Sequence, residues 1–179
     1  MRPKPPAESR RARRAAAWLL AAALLVLVSG ALIYFFGRPA GTAFMLPAAI
    51  TFFKAGPSAL GDVLNGSWPA FAHAFVFSVL SCLVLPRRRL WAAWACSGWF
   101  VIECLFEIGQ HPALSPWLAA SLRGTFDGVP VLDHLPAYFA RGVFDVYDIA
   151  FAGGGSLFAW LLVSRVLLPP APRAQPAGR

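Results

Sequence analysis

The chain has 179 residues, 58% hydrophobic and 13% charged, and a formal net charge of +8. That length suits one domain, and a soluble domain would carry about 25% charged residues, so the composition argues against a soluble fold. The basic excess lies beside long apolar blocks, where it orients helices, so a nucleic-acid partner is not expected.

Residues 1–14 hold Arg2, Lys4, Arg10, Arg11, Arg13 and Arg14 with three prolines, which predicts a basic, disordered tail. Residues 15–36 are apolar or small throughout and long enough to span, since a span needs about 20 such residues. A signal peptide is the competing reading. The run exceeds a typical apolar signal core of about 7–15 residues, and no small-x-small cleavage site follows, which favours an uncleaved first span. Residues 37–68 are mixed: the apolar part, 43–53, contains Pro47 and suits an interfacial or re-entrant segment, and Gly56-Pro57 and Asn65-Gly66 are turn signals.

The second span is expected over 69–85, stopping at Pro86-Arg87-Arg88-Arg89, and the third over 90–109, which makes a tight hairpin. Residues 109–141 form another outer segment with Pro112, Pro116, Pro130 and Pro136, in which 117–122 suits a short surface helix. The fourth span is expected over 143–168, ended by Pro169-Pro170, and 169–179 form a Pro/Ala/Arg tail. The expected fold is an all-α integral membrane bundle of four transmembrane helices, residues 15–168, with short interfacial segments on the outer side.

With both termini in the cytoplasm, twelve of the sixteen basic residues fall on the cytoplasmic side: six in the N-tail, then Arg87, Arg88, Arg89, Arg165, Arg173 and Arg179. Only Arg38, Lys54, Arg123 and Arg141 remain outside. The positive-inside rule therefore predicts that orientation. Seven of the eight acids lie in outer segments or outer halves of spans, and Tyr34, Trp68, Trp91 and Trp117 fall near boundaries, as an interfacial belt would have them. The three cysteines, Cys82, Cys96 and Cys104, lie in apolar blocks without C-x-x-C spacing, which reads as buried small side chains.

Glu103, Glu107 and Gln110 are spaced i, i+4, i+7 and share one helix face. A carboxylate in the hydrocarbon region is costly and marks a functional site by default. Two carboxylates one turn apart repel, so either one holds a proton or a cation or donor lies between them. Asp145 and Asp148 are spaced i, i+3 at the start of the fourth span, and their face continues through the small residues Ala152, Gly155 and Ala159, which allow close helix approach. Gly153-Gly154-Gly155 marks either that packing or a kink beside a cavity. His73 is expected one turn from the outer end of the second span, at a depth similar to the acids. Arg123 and Arg141 are placed to cap the cluster. The candidate pocket is thus His73, Glu103, Glu107, Gln110, Arg141, Asp145 and Asp148. The bland alternative makes Asp145 a helix cap, Asp148 a partner of the helix dipole, and Glu107 and Gln110 interfacial polar residues. Carboxylates with one histidine can hold a divalent cation. No H-x-x-x-H or H-E-x-x-H spacing is present, and His111 and His134 lie in loops, so no metal or other cofactor is expected. No nucleophile has a base at motif spacing, and no phosphate-cradling glycine loop is present.

Residues from about 71 to 168 resemble the VanZ-like family of bacterial membrane proteins. That family has a Glu and a Gln near the end of one span, an Arg-x-x-Asp-x-x-Asp type start to the last span, and an Asn and a Gly beyond. Here the corresponding residues are Glu103 or Glu107 with Gln110, then Arg141, Asp145 and Asp148, then Gly155. Gly124-Thr125-Phe126-Asp127 resembles a second copy of the loop signature. Ala152 stands where the family has Asn, which alters any polar site that Asn helps to form. The family is named for a protein linked to teicoplanin resistance, and the resemblance implies a role in the bacterial envelope rather than a defined reaction.

The leading expectation is an acidic, outward-facing intramembrane pocket that binds a cation or a polar envelope component, a polar lipid or an envelope precursor, with the bilayer as the surrounding partner. The alternatives are a membrane enzyme acting on a lipid headgroup through Glu103 or Glu107, a small proton-coupled transporter, and a structural subunit whose polar residues fix helix packing.

Overall fold

The computed structural model describes residues 7–37, 59–130 and 132–167. All regular structure among them is helical: α1 (Ala7–Gly37), α2 (Ala59–Val84), α3 (Arg89–Gly109), α4 (Ser115–Ser121), a 3-10 turn (Leu132–His134), α5 (Leu135–Arg141) and α6 (Val146–Val166). Four of these, α1, α2, α3 and α6, are long and apolar enough to cross a membrane. The 21 residues of α3 and of α6 rise about 31 Å at 1.5 Å each, the thickness of a hydrocarbon core. The expected all-α, four-span class is the observed one.

Helix boundaries differ from expectation in three places. The tail reading of 1–14 fails from Ala7 onward, because Glu8, Arg10, Arg11, Ala12, Arg13 and Arg14 favour helix and extend α1. α2 starts at Ala59, well before residue 69, and contains both Asn65-Gly66 and Pro69. The turn signals are overridden by packing at Trp68. Its indole N–H donates to the Ser29 hydroxyl oxygen at 3.1 Å, and its ring stacks on Phe71 with centroids 4.9 Å apart. α6 starts after residue 143, because Asp145 holds an extended backbone as the N-cap. The segment 43–53, the Gly56-Pro57 turn and the tail 169–179 lie outside the described residues.

α2 is the hub of the bundle, packed against α1, α3 and α6, and α6 lies in the notch between α2 and α3. Leu19 and Ala23 of α1 meet Phe75, Val76, Val79 and Cys82 of α2, Ala92 and Cys96 of α3, and Ala159 and Val163 of α6 in one buried cluster. Two close approaches set the registers. A Cβ on Gly30 would stand 2.9 Å from that of Ala72, so α1 runs against α2. A Cβ on Gly155 would collide with the Phe71 carbonyl, and Phe158 packs on Phe71 and Phe75, so α6 runs alongside α2 in the same direction. Trp99 of α3 donates its indole N–H to the Ser81 hydroxyl oxygen at 2.8 Å and stacks on Phe77, which fixes the α2–α3 hairpin. The outward faces carry Trp18, Leu25, Val84 and Trp94, each at least two-thirds exposed, as lipid-facing surfaces require.

This topology gives the bundle two chemically different ends. One holds the first turns of α1, the α2–α3 turn and the last turn of α6, with Arg10, Arg11, Arg13, Arg14, Arg87, Arg88, Arg89 and Arg165. The other holds the end of α3 and the start of α6, with Glu103, Glu107, Asp145 and Asp148. At this acid end α4 and α5 pack together and close over the end of α3. Phe139 and Leu118 close over Gly109, where a Cβ would stand 2.5 Å from the Phe139 ring, and Phe106 packs on Tyr138 and Phe139.

Candidate functional site

The acid end is built where α3 meets α6. The spacing of Glu103, Glu107 and Gln110 puts their side chains on one face of α3, and that face turns toward the α5–α6 connection. Glu107 is buried, at 6% exposure. One of its oxygens, Oε1, accepts the backbone N–H of Asp145 at 2.5 Å, and the other, Oε2, receives the Gln110 amide at 3.5 Å. The same amide donates to the Tyr138 hydroxyl oxygen at 2.7 Å. Gln110 thus links the end of α3 to α5, and Glu107 links it to the start of α6. Gly142 makes room for this arrangement, since any Cβ there would occupy the space of the Gln110 carboxamide.

Asp145 caps α6: its carboxylate accepts the Tyr147 N–H at 2.9 Å. An N-cap carboxylate satisfies an orphan donor and meets the positive end of the helix dipole. Asp148 follows in the first turn. The Glu103 carboxyl lies within electrostatic reach of Asp148 and Glu107, and that of Glu107 within reach of Asp148 and Asp145. The four carboxyl groups therefore share one seam between α3 and α6. Glu103 is half-buried there and receives no hydrogen-bond donor among the described residues.

Other candidates stand apart from the seam. His73 lies far along α2, because that helix begins at Ala59. With Phe71 level with Gly155, His73 sits roughly 13 Å below Asp148 along the bundle, at 1.5 Å per residue. Its ring is exposed beside Phe77. Arg141 and Arg123 are both exposed, and neither forms an ion pair with the carboxylates among the described residues. The small-residue stripe is buried, but Gly155 faces α2, and it is Gly153 that meets α3, where an added Cβ would stand 3.3 Å from the Phe100 ring.

Two residues of the site carry no motif in the sequence. Tyr138 lies in a proline-containing segment that reads as loop, and Gly142 reads as a linker. The signal available for both was proximity to Asp145 alone.

Among the described residues, no three His, Cys, Asp or Glu side chains converge closely enough to hold a metal ion. The arrangement offers instead a carboxylate pair across a helix seam, stiffened by a buried Glu–Gln–Tyr chain. Fold and site together define an all-helical protein of the multi-pass membrane class. No family model, no curated protein and no solved structure matches the chain.

Proposed function

We propose that the chain is a VanZ-like protein of the bacterial inner membrane, with both termini in the cytoplasm and the acid end facing outward. Its seam of Glu103, Glu107, Asp145 and Asp148 binds the positively charged part of a polar envelope component, such as an ammonium headgroup, or a hydrated cation. One observation carries this reading: the Glu103 carboxyl lies within electrostatic reach of Asp148 across the α3–α6 seam and of Glu107 on its own helix, and receives no hydrogen-bond donor among the described residues. Like charges gathered in a half-buried place cost stability unless one of them takes a proton or a counter-charge joins them.

Equilibrium binding to the purified protein tests it, with a short-chain phosphatidylethanolamine and with Ca2+ as probes. Saturable binding of either, weakened at least tenfold in Glu103→Gln, supports the site. Absence of saturable binding for both probes removes it.

A second reading has its own observation. Glu107 and Gln110 commit their hydrogen bonds to Asp145 and Tyr138, which suits a cluster that only fixes helix packing. Under that reading Glu103→Gln leaves every ligand measurement unchanged, and only Glu107 and Gln110 variants lose stability.

A further inference from the structure

The arginine end is the strongest charged patch of the molecule. Arg10, Arg11, Arg13, Arg14, Arg87, Arg88, Arg89 and Arg165 are all exposed. Every carboxylate whose side chain is described lies elsewhere, on α3 toward the acid end or in the residues that follow it. No ion pair neutralises any of these arginines among the described residues. Eight guanidinium groups with no carboxylate partner among the described residues repel one another, and the repulsion falls when anions collect between them.

Their position along the helices says which anion. The four spanning segments are Arg10–Ile33, Gly66–Val84, Arg89–Gly109 and Val146–Val166, so each begins or ends at this patch. The guanidinium groups therefore lie at the level of lipid headgroups. Within about a turn and a half of them stand Trp18, Trp91 and Trp94, exposed by 75%, 44% and 67%, with Leu90 between the α2–α3 turn and Trp91. Indoles favour the depth just below the headgroups. A soluble polyanion would meet only the arginines. An anionic phospholipid meets both layers: its phosphate the guanidinium groups, which grip phosphate oxygens in pairs, and its upper acyl chains the indoles and Leu90. α1 and the start of α3 both pack on α2 at this end and contribute Leu19, Ala92 and Cys96 to one buried cluster.

We propose that the arginine end is a collar that retains anionic phospholipids of the adjoining leaflet, through guanidinium–phosphate contacts over an exposed tryptophan layer. The collar is independent of the acid-end site and of the chain's family.

Native mass spectrometry of the full chain tests it. The protein is released from micelles holding equal amounts of phosphatidylglycerol and phosphatidylcholine of the same acyl chains. The collar predicts bound phosphatidylglycerol in excess of phosphatidylcholine, an excess that shrinks in R87Q/R88Q/R89Q. Each arginine lost lowers affinity about fivefold at low salt. R10Q/R11Q/R13Q/R14Q, which leaves the α2–α3 turn intact, shows the same direction and serves if the first variant fails to fold. Equal retention of the two lipids by the wild type, an unchanged excess in whichever variants fold, or displacement of phosphatidylglycerol by a single-stranded RNA oligonucleotide at roughly 0.15 M salt overturns the collar.

Discussion

The Glu107 carboxylate accepts the backbone N–H of Asp145, 38 residues further along the chain. One side chain near the end of α3 thereby fixes where α6 starts, and Gln110 extends the tie to Tyr138 of α5. A buried carboxylate that receives two donors is held in one place, and its charge is then available to everything that faces the seam.

Removing this tie destabilises the acid end. Hydrogen bonds to charged groups contribute about 1.5–3 kcal/mol each, and a neutral one about 1 kcal/mol. Glu107→Ala therefore lowers unfolding stability by about 2–3 kcal/mol, and Tyr138→Phe by about 1 kcal/mol. Thermal unfolding of the purified variants in one detergent ranks them, and the reverse order would contradict the geometry.

The glycine triplet separates by position. A Cβ at Gly155 collides with the Phe71 carbonyl, whereas one at Gly154 finds nothing nearer than 3.8 Å. Gly155→Ala forces α2 and α6 apart and costs about 1–3 kcal/mol. Gly154→Ala is close to neutral. Equal unfolding midpoints for the two variants would show that α6 does not approach α2 in this register.

Orientation is open to reporter fusions. Fusions after Arg89 and after Arg179 read cytoplasmic, and a fusion at Asp127 reads external, because Arg10, Arg11, Arg13, Arg14, Arg87, Arg88, Arg89 and Arg165 gather at one end among the described residues. An external reading for the Arg87–Arg89 turn would invert the whole bundle and place the acid end in the cytoplasm.

Much of this architecture is legible in the chain. The lengths of the apolar runs mark four spans, and the spacing of Glu103, Glu107 and Gln110 puts them on one helix face. What sequence conceals is decided by contacts between elements. Asn65-Gly66 signals a turn locally and Pro69 a helix start, yet the Trp68–Ser29 bond and the Phe71 stack accompany an α2 that is helical through both. The Phe71–Gly155 register sets His73 below the acids, which no pattern within α2 reveals. Gly155 and Gly153 are neighbours in sequence, and only the notch occupied by α6 decides that one meets α2 and the other α3. Tyr138 enters the site because α5 folds back over Gly109, a tertiary event without a local signature.

The gathering of four carboxyl groups at the seam, with a positively charged ligand to offset them, is tested most directly by thermal unfolding of wild type and Glu103→Gln, each with and without short-chain phosphatidylethanolamine and Ca2+. Without ligand, Glu103→Gln removes one like charge and unfolds at a higher temperature, by roughly 2–4 °C for about 1 kcal/mol. With ligand, the wild-type midpoint rises and that of the variant stays where it was. A variant that unfolds earlier than a wild type indifferent to both ligands would contradict the account and leave the acid end a packing device.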